Sequence, residues 1–134
     1  ADYDSCLVWK DDNIGCLNNY AYYLSEEGEQ LDKAEQMSYR TIKAEPKAAT
    51  YLDTYAWILF MQQRYSEAKI YVEQALQNKV DSVDNSVILE HAGDIYAHCH
   101  EDDRALVFWE NALKGAPENQ VLIRKIKLKK YVKE

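Results

Sequence analysis

Residues 52–80 read LDTYAWILFMQQRYSEAKIYVEQALQNKV, and this stretch decides the fold. Its first half presents Leu52, Tyr55, Ala56 and Leu59, offsets of three and four that hold one stripe on one side of a helix. Its second half brings Ala68, then Val72 four residues later, then the pair Ala75-Leu76. Ala56 and Ala68 are small for a reason: each lets the backbone of a partner helix approach closely. The stretch therefore reads as two helices packed against each other through small residues.

Working outward, the same wording recurs on both sides. Upstream, 17–46 reads LNNYAYYLSEEGEQLDKAEQMSYRTIKAEP, and downstream, 89–117 reads LEHAGDIYAHCHEDDRALVFWENALKGAP. The first-helix stripe returns as Leu17, Tyr20, Ala21, Leu24 and as Leu89, Ala92, Gly93, Tyr96. The second-helix positions return as Ala34, Ser38, Thr41-Ile42 and as Ala105, Trp109, Ala112-Leu113. Ala34 and Ala68 are 34 residues apart; Ala68 and Ala105 are 37 apart, with three extra residues around Val83, Asp84 and Asn85. The first unit carries one extra residue in its internal turn, near Gly28. Pro46 and Pro117 stand where a helix must stop, because proline cannot continue the hydrogen-bond ladder. Val80 takes that place in the second unit.

A 34-residue helix–turn–helix period resembles the tetratricopeptide repeat, and LNNYAYYLS is similar to the wording of bacterial members. The resemblance covers residues 14–117. It implies an all-α helical solenoid of about three repeats, at 14–47, 48–82 and 83–117, with residues 118–134 as a C-terminal capping helix. Residues 1–13 read as the tail of a preceding repeat, with Cys6-Leu7 at the Ala-Leu position, so the chain is expected to be cut from a longer protein.

Composition agrees with one globular unit. The chain has 134 residues, 47% apolar and 29% charged, with only 4 Gly and 2 Pro, too few for the many tight turns of an all-β fold. A net charge of −7 disfavours nucleic acid and anionic membrane surfaces as partners. No run approaches the ~18–20 apolar residues of a membrane span. Cys6, Cys16 and Cys99 lack the spacing of a zinc or redox motif and read as small apolar helix residues. A Cys6–Cys16 bridge is the alternative. The compartment stays open, with only the resemblance leaning towards the bacterial envelope or periplasm.

The last segment, ENQVLIRKIKLKKYVKE, holds six Lys or Arg against two Glu, a local +4 that leaves −11 on the other 117 residues. Ile123 and Ile126 are expected to form its inward stripe, packing on Leu113, with the basic residues as a solvated face. Binding of phosphate or lipid by that face is the lesser alternative.

If the resemblance holds, first helices line a concave groove. The residues facing it are then Asn18, Tyr22 and Ser25; Asp53, Trp57, Phe60 and Met61; and Glu90, Asp94, Ala97 and His98. Trp57, Phe60 and Met61 offer large adaptable apolar surface, the kind that anchors interfaces, unless the chain's own ends cover it. Asp53, Glu90 and Asp94 add carboxylates with no Lys or Arg among those positions and no sign of burial. Family members that clamp an acidic C-terminus use cations here. Only Asn18 and Asn19 remain of that set, and Val87, His91 and Asp94 stand in place of the cations.

The function these residues imply is a non-catalytic scaffold that takes a neutral or basic, partly aromatic peptide or protein segment, with no cofactor. A small secretion chaperone is a narrower version of it. Catalysis lacks a phosphate loop, a nucleophile motif or HExxH. Two other readings compete. One is self-association through an N-terminal repeat face at Cys6, Leu7 and Trp9. The other is a metal site on the helix face shared by His91, Asp94 and His98.

Overall fold

The computed structural model describes residues 14–80 and 85–132. The expectations about residues 1–13, including the half repeat and the self-association face, lie outside those residues. Among the described residues seven helices follow one another: α1 (Ile14–Glu27), α2 (Leu31–Ala44), α3 (Ala49–Met61), α4 (Tyr65–Asn78), α5 (Ser86–His98), α6 (Asp102–Gly115) and α7 (Gln120–Leu128). There is no strand among the described residues. Each odd helix up to α5 pairs with the even helix after it, each pair packs on the next, and α1, α3 and α5 also touch one another in order. The result is a stack of hairpins whose first helices share one face.

Small residues set the approach of each hairpin. Ala21, Ala34, Ala56, Ala68 and Ala105 have no exposed surface at all. In the third hairpin Gly93 replaces alanine because Trp109 lies over it: a Cβ there would stand 2.3 Å from the indole. The facing residue grows from Ser38 to Val72 to Trp109, and at the large end only hydrogen fits.

The turn inside each hairpin follows one backbone design. Gly28, Gln63 and His100 all take positive φ, at 70°, 65° and 65°. The next residue's N–H then reaches back to a carbonyl five residues earlier: Glu29 to Leu24 at 3.2 Å, Arg64 to Leu59 at 2.9 Å, and Glu101 to Tyr96 at 3.0 Å. This left-handed cap satisfies orphan carbonyls and reverses the chain sharply.

The core has a centre. Every residue of α3 from Leu52 to Phe60 is buried, because α1, α2, α4 and α5 surround it. A helix that is apolar nearly all round, as TYAWILFM is, belongs inside. Cys16 is disulfide-bonded, a correction to its reading as a plain apolar residue; Cys99 is free.

The final helix sits one residue out of the expected register. Leu122, fully buried, and Lys125, almost so, face inwards, whereas Ile123 is exposed; Ile126 is half-buried. Asn119 caps the helix by accepting a hydrogen bond from the Leu122 N–H at 3.0 Å. With its N-terminus fixed there, Leu122 turns onto the core, a burial worth ~2 kcal/mol.

Candidate functional site

The shared face of α1, α3 and α5 is a groove, and its floor is a ladder of polar rungs. Asp53 follows the first stripe leucine of α3, and its carboxylate lies 2.9 and 3.0 Å from Nδ1 of His91 on α5. Glu90 occupies the register of Asp53 one unit later, and accepts from Lys125 Nζ of α7 at 2.8 Å. Lys125 is thus to α7 what His91 is to α5. The corresponding residues one unit earlier are Asn18 and Thr54. There the rung is missing: Asn18 Oδ1 is buried without a partner, and the Thr54 hydroxyl donates to the Thr50 carbonyl.

Above the rungs lie rings. The His91 imidazole stacks on Trp57 with centroids 4.0 Å apart, and Trp57 stacks on Phe60 at 4.5 Å. Phe60 in turn meets His98 at 4.8 Å and Tyr131, from the residues after α7, at 5.8 Å. Trp57 and Phe60 are therefore buried, 8% and 5% exposed, not open surface as their spacing suggested. They are covered from two directions, by α5 and by the chain's own C-terminal residues.

Asp94 is the charge centre. Its Oδ1 accepts from Lys125 Nζ at 2.7 Å and from the Trp109 indole N–H at 3.0 Å. Burial raises its pKa from 3.8 to about 6, against the pull of Lys125 and His91. This corrects the expectation of carboxylates with no sign of burial; the cation that meets Asp94, Lys125, comes from outside the expected groove positions. For His91, burial opposes the charge, but Asp53 at hydrogen-bond distance, with Asp94 and Glu90 beyond, carries its pKa above the usual imidazole value. The Tyr131 phenol is pushed up to about 12, first by burial and then by Asp94.

A cavity of about 390 Å³ opens above this floor. Of the eleven residues expected in the groove, Tyr22, Trp57, Met61, Glu90 and Asp94 line it; Asn18, Ser25, Asp53, Phe60, Ala97 and His98 do not. Lys125, Tyr131, Asn119, Val121 and Glu26 line it too, and sequence reasoning missed them. One signal was available for Lys125: carrying the repeat alignment into the last helix puts it in the His91 register, opposite Glu90.

The expected metal face is not assembled as one. His91 Nδ1 is engaged by Asp53, the Asp94 carboxylate by Lys125 and Trp109, and His98 Nδ1 lies 2.9 Å from the Asp94 carbonyl. Among the described residues no group of three His, Cys, Asp or Glu is placed to hold a metal ion. No helix among them is long and apolar enough to cross a membrane.

No family model matches the chain, and no curated protein matches it in sequence. Solved structures match its shape. YrrB, a TPR protein with an unusual peptide-binding site, superposes over 96% of this chain with a TM-score of 0.76 and 17% identity. TTC0263, a thermophilic TPR protein of Thermus thermophilus, superposes over 95% with a TM-score of 0.75, again at 17% identity. The chain spans 64% of the length of YrrB and 69% of TTC0263.

Proposed function

The chain has the tetratricopeptide-repeat fold, and on that premise we propose that its concave groove binds a basic, partly aromatic segment of another protein without catalysis. A repeat scaffold for protein–protein interaction is the general role of this fold; the ligand class is the finer statement. One observation supports it most: the groove already receives a lysine between Glu90 and Asp94, with a tyrosine packed against Phe60 and His98. What the floor accepts from its own chain is the chemistry it would accept from a partner.

The open part of the cavity continues that character. Glu26 is exposed at its edge and Val87 is 55% exposed. Tyr22, four residues before Glu26 on α1, and Met61 line the cavity with them. A carboxylate beside apolar and aromatic surface suits an extended segment that carries a Lys or Arg next to a large apolar residue. An acidic peptide would set its carboxylates against those of Glu26 and Glu90, a like-charge juxtaposition that costs several kcal/mol. YrrB is a peptide-binding relative in fold, which agrees with a peptide ligand here.

The reading is tested by panning a displayed random-peptide library against the native chain and against a Tyr22→Ala/Glu26→Lys variant. Enrichment of Lys- or Arg-containing peptides with an aromatic neighbour, lost in the variant, is the expected result. Enrichment of acidic peptides would overturn it.

A further inference from the structure

We infer that the C-terminal segment Asn119–Val132 is a displaceable occupant of the groove, and that an external basic segment binds by taking the seat of Lys125 between Glu90 and Asp94. This rests on the groove-binding reading and adds how the site is regulated.

The argument begins with what holds α7 in place. It is a nine-residue helix, too short to persist alone in water, and among the helices it packs mainly on α6. One fully buried apolar side chain, Leu122, is joined by the half-buried Ile126 and Tyr131. The polar hold is the Asn119 amide, which donates to Glu90 at 3.3 Å, and Lys125, whose ammonium has lost its water to face two carboxylates. A buried ion pair of that kind gives back little more than the desolvation it requires, so it fixes register more than it adds stability. Elsewhere in the fold the same register is filled differently: Thr54 and His91 sit inside hairpins that are packed on both sides. Only α7 has no second helix of its own among the described residues to anchor it.

Charge points to the same exchange. Residues 118–134 carry +4 while the remaining 117 carry −11, so the tail is held to the acidic body partly by charge, and any basic segment feels the same field. The tethered tail competes at an effective concentration in the millimolar range. The apparent affinity of an outside ligand is therefore reduced by the fraction of time the seat is free. Such a tail excludes weak basic peptides and admits those that also fill the open cavity beside Tyr22 and Met61.

The test uses the whole chain and a synthetic peptide of residues 118–134 as probe. Hydrogen exchange of α7 is followed alone and with excess peptide. A displaceable tail predicts that amides 123–128 exchange at least tenfold faster than those of α3, and faster again by severalfold with peptide, while α3 does not change. The peptide carrying Lys125→Glu should have no such effect. In the chain, Lys125→Met should bind the fluorescent native peptide at least tenfold more tightly than the native chain does; Tyr131→Ala serves if Lys125→Met does not fold. Exchange of α7 at the α3 rate, unchanged by peptide, makes the segment a fixed cap and overturns the inference without touching the groove reading. A labile α7 with no basic peptide bound by either variant instead removes the groove reading, and the inference with it.

Discussion

The indole of Trp109 occupies the space that a side chain at position 93 would need: a Cβ on Gly93 would meet its Nε1 and Cδ1 at 2.3 Å. The indole cannot swing away cheaply, because it is fully buried and donates to Asp94 at 3.0 Å. Two units of one chain thus record the same constraint with different volumes, Ala56 with Val72 and Gly93 with Trp109.

Gly93→Ala should therefore destabilise the chain by about 2 kcal/mol, overpacking outweighing the ~1 kcal/mol that alanine gains in a helix. In a Trp109→Val background the same change should reverse sign and stabilise, since it recreates the second unit's pair. Urea unfolding of the four chains of that cycle measures it. Equal cost in both backgrounds would mean the indole is not what requires glycine.

The left-handed turn residues give an opposite pair of effects. Gln63 and His100 adopt positive φ with a side chain, so Gln63→Gly and His100→Gly should each stabilise by about 0.5–1 kcal/mol. Gly28→Ala should cost about 1 kcal/mol, although nothing lies within 4 Å of a Cβ there, because the penalty is in the backbone. Thermal melts of the three variants separate this from any contact effect.

Stability should depend on pH through the groove floor. Asp94 has a raised pKa in the fold, about 6 against 3.8. Its contribution is complete below pH 3.8 and is lost as pH rises towards 6. The native chain should lose about 2 kcal/mol relative to Asp94→Asn between about pH 4 and 7. His91 is also raised above 6.5, so its contribution is complete below that value and is lost as pH climbs through its folded one. His91→Gln should remove that second fall. Urea midpoints across about pH 4–9 check both, and a native-minus-variant difference that stays flat would show that neither group changes affinity for protons on folding.

The fold was legible because its signals are local and repeated. Leu52, Tyr55, Ala56 and Leu59 state a helical stripe within eight residues, and two further copies fix the architecture. The groove was legible only in part. Tyr22, Met61 and Glu90 line the cavity from their helical positions alone. Trp57 and Phe60 have the same periodic credentials, but they are covered by His91, 34 residues beyond Trp57, and by Tyr131, 71 beyond Phe60. No helical period carries contacts of that span. Lys125 was read with its neighbours as a solvated charge, since lysine is almost never buried unless paired. Its pairing depends on where Asn119 starts the helix, a one-residue matter of register.

The central claim is that the groove floor recognises a cation flanked by apolar surface, and binding of defined peptides tests it most directly. Calorimetric titration of the chain would compare one basic-aromatic peptide selected by panning with its Lys→Glu counterpart, against native protein and Tyr22→Ala/Glu26→Lys. The account predicts micromolar binding of the basic peptide, at least tenfold weaker binding of the acidic one, and loss of the difference in the variant. Equal affinity for both peptides, or binding that the variant leaves intact, would contradict it.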